Sequence, residues 1–145
     1  MVGISNDRMQ HILSVARQSY QIAKNKYQLS ETDCRKAFMI GFLHDVGYEF
    51  SENNLEHPEK GKELIQETLG VTLEEVRQHG NPDAEQTLFL SILNEADMTV
   101  DSKGNVVSVE ERLQDIKSRY SEDAIEYLKP LELAKKLHLI EKSMK

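Results

Sequence analysis

Apolar residues recur at three- and four-residue steps along most of this chain, which is the period of an amphipathic helix. The clearest stripe starts at Met9, shortly after the possible helix caps Ser5, Asn6 and Asp7. Only residues 105–109 alternate enough to suggest a strand. The pattern predicts helices over about 6–28, 31–45, 58–69, 84–98, 108–119 and 121–141, with a short helix between residues 72 and 79.

Capping residues and breakers predict where these helices begin and end. The segments 30–33, 72–75 and 108–111 resemble capping boxes, and the run His79-Gly80-Asn81-Pro82 is a stop signal. We expect Pro130 to break or kink the last helix. The predicted N-caps are Ser30, His57, Thr72, Asp83, Ser108 and Ser121.

Two of the predicted helices should be central. Those over 31–45 and 84–98 are apolar on most sides, which is typical of buried helices. Gly41 shares a face with Ala37 and Ile40, so small side chains there would let another helix approach closely. We therefore predict an all-α fold with five core helices and one or two C-terminal helices packed on the outside.

Composition supports one helical domain over residues 1–145, with a core of about 6–100 and a C-terminal extension of about 108–141. Glycine and proline are sparse, with 7 and 3 residues. Cys34 is the single cysteine, and we interpret it as a packing residue in a reducing compartment. No run reaches the length of a membrane span and the N-terminus does not resemble a signal peptide, so we expect a cytoplasmic protein without membrane partners.

The charge balance limits the possible partners. The chain has 18 basic and 25 acidic residues, a net charge of −7. A general nucleic-acid surface would need a basic face, so we expect none. A small anionic substrate, held by a metal ion and a few local basic residues, remains compatible with this balance. The sequence does not predict the oligomeric state.

The candidate chemistry centres on His44 and Asp45, which end the apolar run from Ala37 to Leu43. Burying two ionisable groups costs several kcal/mol unless something pairs with them, and a divalent metal would satisfy both. Other histidines and an aspartate lie at helix ends or beside an apolar stripe: His11, His57, His79 and Asp97. Taken singly, each also suits a surface or helix-capping role, and His138 belongs to no pattern.

Taken together, the order of these residues resembles the HD superfamily of metal-dependent phosphohydrolases. The resemblance rests on His11 in Arg-Met-Gln-His, on His44 and Asp45 in Gly-Phe-Leu-His-Asp-Val-Gly, and on Asp97 in Glu-Ala-Asp-Met. It covers about residues 7–100. It implies an all-helical scaffold and divalent metal ions bound by these residues.

The segment from His57 to Gly61 is similar to the His-Pro-Glu stretch of the bacterial symmetrical diadenosine-tetraphosphate hydrolases, and His79 takes the place of their next histidine. That resemblance implies two metal ions bridged by Asp45, the second held by His57 and His79. Iron, manganese and zinc all suit such ligands. Arg8, Lys60 and Lys62 are the candidates for binding substrate phosphate.

The activity that the resemblance implies is hydrolysis of a phosphate ester or anhydride in a nucleotide-like small molecule, with metal-bound hydroxide as nucleophile. Asp45 would be the catalytic residue that bridges the metal ions. A regulatory domain that binds a nucleotide without turnover is the alternative. A helical interaction protein with incidental histidines is a third interpretation, which the six-residue pattern makes less favourable.

Overall fold

The computed structural model describes residues 6–45 and 74–140. Across these two segments the secondary structure is helical, apart from an isolated antiparallel bridge between Val100 and Val106. The all-α prediction is confirmed, and the possible strand over 105–109 is reduced to that bridge. The described helices are α1 (Asn6–Asn25), α2 (Glu31–Leu43), α3 (Glu74–Gln78), α4 (Leu88–Asp97), α5 (Val109–Arg119) and α6 (Ile125–Lys136).

Local capping chemistry explains the helix starts that the sequence predicts correctly. The Ser30 hydroxyl accepts a hydrogen bond from the Asp33 amide at 3.2 Å and begins α2. At α5 the capping box is complete, because Ser108 accepts from the Glu111 amide while the Glu111 carboxylate accepts from the Ser108 amide. In both cases a side chain satisfies amides that the helix itself leaves unpaired.

Two other predicted helix starts are wrong. Asp83 does not cap α4, because its amide donates to the Asn81 side chain in a turn and Thr87 provides the cap instead. Ser121 does not cap α6, which begins after Ala124 without a side-chain cap.

The ends of two helices also come earlier than predicted. α1 stops at Asn25, and Gln28 reverses the chain with a φ of 54°. α6 continues through Pro130 and ends at Lys136, where His138 adopts a φ of 61°. Both reversing residues lie in the left-handed region, which stops a right-handed helix.

The first hydrophobic core joins α1, α2 and α4, the helices that carry most of the candidate site residues. The prediction that α2 is a buried helix is wrong for Met39, which is 50% exposed. Cys34 lies in this core, as expected for a packing residue. The core residues are Val15, Ile22, Ala23, Cys34, Ala37, Ile40, Ile92, Leu93, Ala96 and Val100.

Gly41 lets α1 and α2 pack closely beside the site. A Cβ atom at this position would lie 2.8 Å from Ser19 Oγ, 3.0 Å from Ala16 Cα and 3.1 Å from the Val15 carbonyl. Two of these atoms belong to the backbone of α1, so they cannot move without moving that helix. The close approach predicted for Gly41 is therefore present in the structure.

We expect Gly41→Ala to lower the free energy of unfolding by about 1–3 kcal/mol, because overpacking forces the two helices apart. Ser19 Oγ is buried without a hydrogen bond to any described residue. Ser19→Ala should therefore be neutral or slightly stabilising, and it should reduce the loss caused by Gly41→Ala. Urea unfolding of both single variants and the double variant measures this. Equal stability of Gly41→Ala and the wild type would contradict the close packing.

The second hydrophobic core joins α5 and α6 to Met98, the residue that follows α4. The sequence places these helices on the outside of the bundle. In the structure they also form one wall of a cleft whose other wall carries His11, Asp45 and Asp97. The second core consists of Met98, Val109, Leu113, Tyr127, Leu131, Leu133 and Ala134.

Several predictions concern residues outside the described segments. These include the helix over 58–69 with its His57 cap and the first part of the box at 72–75. α3 agrees with the short helix expected before His79. Within residues 6–45 and 74–140, no helix is both long and apolar enough to cross a membrane.

Candidate metal centre

Two histidines are oriented by the helix ends that precede them. His44 follows α2, and its Nδ1 atom lies 2.5 Å from the Gly41 carbonyl in the last turn. His79 follows α3, and its Nδ1 atom lies 2.6 Å from the Val76 carbonyl. The last carbonyls of a helix lack partners within the helix, so each ring satisfies one of them and is thereby held in place.

His11 is held by the turn that follows α4. Its Nδ1 atom lies 2.8 Å from the Asp101 carbonyl. The Asp101 carboxylate stabilises this turn by accepting hydrogen bonds from the Lys103 and Asn105 amides, both at 2.9 Å. Gly104 completes the turn with a φ of 90° and packs against the backbone of α1, where a Cβ atom would lie 2.6 Å from the residue-10 carbonyl.

These contacts assign the same tautomer to all three rings. A carbonyl oxygen only accepts hydrogen bonds, so each Nδ1 must carry a proton. In the neutral ring the lone pair is then on Nε2. The three Nε2 atoms therefore face the site as potential metal ligands, each oriented by a carbonyl partner on the other nitrogen.

Two carboxylate oxygens face the Nε2 atoms of His11 and His44. Asp97 Oδ1 lies 3.0 Å from His11 Nε2 and 3.4 Å from His44 Nε2. Asp45 Oδ2 lies 3.5 Å and 3.1 Å from the same two atoms. Two ligands bound at about 2.1 Å to one metal ion are separated by about 3.0–3.4 Å, whether the coordination is octahedral or tetrahedral. The observed separations match that range closely.

The third histidine faces the other oxygen of Asp45. His79 Nε2 lies 3.7 Å from Asp45 Oδ1, whereas Asp45 Oδ2 faces His11 and His44. The His44 and His79 ring centres are 5.1 Å apart. The Asp45 carboxylate thus lies between the Nε2 atoms of His11 and His44 on one side and that of His79 on the other.

The electrostatics of the cluster favour a cation. Burial by itself lowers the pKa of His44, but the carboxylates of Asp45 and Asp97 outweigh it and raise that pKa to about 10. Burial by itself raises the pKa of Asp97, but the close contacts of its carboxylate with His11 and His44 hold that pKa well below its usual range. His44 Nε2 is buried without a hydrogen bond to any described residue. The two carboxylates thus favour a positive charge beside His44 Nε2, either a proton on that ring or a metal ion that replaces the proton, so these residues fit a divalent metal ion.

The family of the chain agrees with this geometry. A family model described as HD domain matches residues 8–140. This chain belongs to the HD domain family. HD domain proteins are generally metal-dependent hydrolases of the phosphohydrolase superfamily, and they bind divalent metals. Searches of the curated proteins and of the solved structures find no match.

Within the described part of this HD domain, His11, His44 and Asp45 each offer a ligand atom within 4.8 Å of the others. All three residues are buried, and Asp97 and His79 lie beside them at the distances given above. His57, Lys60 and Lys62 fall outside the described segments, so their predicted roles stay predictions.

Arg8 lies one helical turn before His11 on α1 and points to the same centre. Its Nη1 atom donates a hydrogen bond to Asp45 Oδ2 at 3.4 Å. Arg8 also lines the cleft, so its side chain borders both the histidine cluster and the space where a substrate would bind.

The cleft of the HD domain opens from the histidine cluster towards α5 and α6. Its volume is about 640 Å³, which is within the range of small-molecule sites. His11, Asp45, His79 and Asp97 line one side. Basic side chains from three further helices also line it, namely Arg77, Arg112, Arg119 and Lys129.

Sequence reasoning missed the residues that orient the cluster. Asp101 acts through its backbone carbonyl, which no side-chain pattern reveals. Asn94 is buried one turn before Asp97; its Oδ1 atom accepts from the Gly80 amide at 2.9 Å and its Nδ2 atom donates to Gln86 at 2.9 Å. It therefore fixes the turn after His79 against α4. A buried asparagine in an apolar helix was the only available signal.

Proposed function

We propose that this HD domain hydrolyses a phosphate ester or anhydride of a nucleotide-like substrate and depends on divalent metal ions for it. The observation that carries the proposal is the convergence of three Nε2 atoms on two carboxylates at the edge of the cleft. When bound, divalent metals lower the pKa of coordinated water and stabilise charge that develops on phosphate oxygens.

His11, His44 and Asp97 would hold the first metal ion together with Asp45 Oδ2. Backbone carbonyls hold the rings of His11 and His44 in place before a metal ion binds, so little reorganisation would accompany metal binding. Mixed imidazole and carboxylate ligands suit iron, manganese and zinc. The carboxylate of Asp45 contacts both the histidine cluster and Arg8, which makes it the residue on which binding depends most.

We also propose a second metal ion, bridged to the first by Asp45. Support comes from the two oxygens of Asp45, which face different histidines: Oδ2 faces His11 and His44, and Oδ1 faces His79. His57 would complete the second set. Two metal ions about 3.5–4 Å apart are a common arrangement in enzymes that cleave phosphate esters.

We expect His79→Ala to lower the metal content from two ions per chain to about one, because it removes a ligand of the second ion alone. Elemental analysis of manganese-loaded, dialysed protein measures this. His138→Asn is the matched control, because His138 is exposed, belongs to no cluster and tolerates asparagine at its positive φ. A content of one ion in both the wild type and His79→Ala would show that His79 has a structural role only.

Arg8 is the proposed contact for a phosphate oxygen of the substrate. Its guanidinium lines the cleft beside the cluster, and guanidinium groups bind phosphate with two parallel hydrogen bonds. Lys60 and Lys62 are kept as additional candidates. A symmetrical dinucleoside polyphosphate is the specific substrate that we propose, on the basis of His57 and His79.

The test is a turnover screen with protein loaded with manganese, iron or zinc. Mononucleotides, cyclic nucleotides and dinucleoside polyphosphates are the substrates. We expect phosphate or nucleotide release that a chelator stops and added metal restores. Nucleotide binding without turnover of any substrate would replace the hydrolase with a regulatory domain.

A further inference from the structure

The wall of the cleft that α5 and α6 form is basic, although the protein as a whole has a net charge of −7. α5 and α6 contribute Arg112, Arg119 and Lys129 to the lining, and Glu126 is the one acidic residue of these helices in the described lining. Basic residues concentrated in the cleft of an acidic protein attract anions to that cleft.

Arg112 and Arg119 lie on one face of α5, seven residues apart. They share one carboxylate, since Asp115 Oδ2 lies 3.7 Å from Arg112 Nη1 and 3.0 Å from Arg119 Nη2. The further contact of Arg119 is with the neutral hydroxyl of Ser102, at 2.6 Å. The charge of Arg112 also acts on the carboxylate of Asp101, whose pKa it helps to lower, so the two guanidinium groups are shared between two carboxylates.

The charged side chains of this wall are not all exposed to solvent. The side chain of Arg112 is only 16% exposed, so much of it has lost water. The Asp115 oxygen nearest to this guanidinium lies 3.7 Å away, beyond hydrogen-bond distance, and is shared with Arg119, so Arg112 can still donate hydrogen bonds to an anion in the cleft. Across the described residues Lys129, on the adjacent helix α6, forms no ion pair, so its ammonium group is available to an anion in the cleft.

We propose that Arg112, Arg119 and Lys129 form a second anion-binding subsite, which binds a phosphoryl group of the substrate other than the one that is hydrolysed. The role of this subsite in substrate binding rests on the proposed function, whereas anion binding itself does not. It narrows the substrate class to molecules with at least two phosphoryl groups, such as a phosphoanhydride chain. Simple phosphomonoesters would leave this wall without a partner and would bind weakly.

Equilibrium binding of inorganic pyrophosphate to chelator-treated protein tests the subsite without catalysis. We expect calorimetric titration to detect binding by the wild type. Arg112→Gln should weaken it about tenfold or more, which is the effect of losing one hydrogen bond to a charged group. Lys129→Gln should weaken it about threefold to tenfold, because the flexible ammonium group gives a less directional contact.

Two controls separate a lost subsite from a disturbed fold. Lys135→Gln removes the same charge from the same helix at a position outside the cleft lining, and pyrophosphate affinity should not change. Arg112→Lys keeps the charge and should retain more affinity than Arg112→Gln. Equal losses in Lys129→Gln and Lys135→Gln, unchanged affinity in every variant, or no pyrophosphate binding by the wild type would overturn the proposal.

The parallel turnover screen keeps the two proposals apart. Pyrophosphate binding that depends on Arg112 and Lys129, in a protein that hydrolyses nothing when loaded with metal, supports the subsite and overturns the hydrolase. Turnover of phosphate esters by a protein whose metal-free form binds no pyrophosphate supports the hydrolase and overturns the subsite.

Discussion

Asp45→Ala should abolish metal binding or weaken it by more than about a hundredfold, which exceeds the usual effect of changing a residue that only supports a ligand. The Asp45 carboxylate faces His11 and His44 through one oxygen and His79 through the other. The substitution removes both oxygens and leaves three ring nitrogens with Asp97 alone. Elemental analysis after loading with manganese and dialysis measures the result, and metal-dependent turnover should disappear with the metal.

The matched control for this substitution is Asp33→Ala. Asp33 lies in the first turn of the same helix, α2, away from the cluster. The Asp33→Ala protein should retain the full metal content, with a small decrease in stability because the variant loses a favourable interaction with the helix dipole. Circular dichroism establishes that the Asp45 variant remains helical. A folded Asp45→Ala protein with the full metal content would contradict the assignment of this residue.

Asp97→Ala and Arg8→Ala should both lower turnover strongly. The first should act by weakening metal binding, and the second by raising the KM for the substrate. Asp97→Ala removes the oxygen that faces His11 and His44, so we expect turnover to fall by about a hundredfold or more at limiting metal and to recover partly with excess metal. Arg8→Ala should raise KM about tenfold even at saturating metal, because it removes a charged hydrogen bond to the substrate.

Two titrations separate the effect on metal binding from the effect on KM. In the first, turnover is measured against metal concentration at fixed substrate; in the second, it is measured against substrate concentration at saturating metal. Arg17→Ala is the control for Arg8, since Arg17 lies on the same helix with an exposed side chain and is not part of the cleft lining. If excess metal restores Arg8→Ala, or if KM is unchanged in that variant, Arg8 has no role in substrate binding.

The features that the sequence predicts well depend on short stretches of chain. The caps at Ser30 and Ser108 involve hydrogen bonds three residues away, so the local sequence contains both partners. The start of α4 was predicted wrongly because local candidates compete, whereas α6 begins after Ala124 without any side-chain cap. Asp83 is a good cap by residue type. Its amide donates a hydrogen bond to the Asn81 side chain in a turn, however, and the helix begins only after Thr87.

The sequence predicts which residues form the candidate site, but not the backbone groups that orient them. The positions of His11, His44, Asp45, His79 and Asp97 at helix ends or on a helix face indicated a common cleft, and the structure brings these five together. The carbonyls that orient the rings could not be foreseen, because the contact between His11 and Asp101 spans 90 residues. It depends on how the turn after α4 meets α1.

The basic wall of the cleft was invisible in the sequence for a similar reason. Arg112, Arg119 and Lys129 look like charges on the solvated faces of two helices. Their position in the cleft follows from the second hydrophobic core, in which Leu113, Tyr127 and Leu133 pack α5 and α6 against each other and against Met98. The packing of these two helices on each other and on the residue after α4 decides which charged face meets the site.

The most direct test of the central claim is the position of bound manganese in crystals of the protein, measured from its anomalous scattering. We expect a peak at about 2.0–2.2 Å from His11 Nε2, His44 Nε2 and the carboxylates of Asp45 and Asp97. A second peak should lie near Asp45 Oδ1 and His79 Nε2. Manganese-soaked crystals with no anomalous peak at these residues would contradict the account.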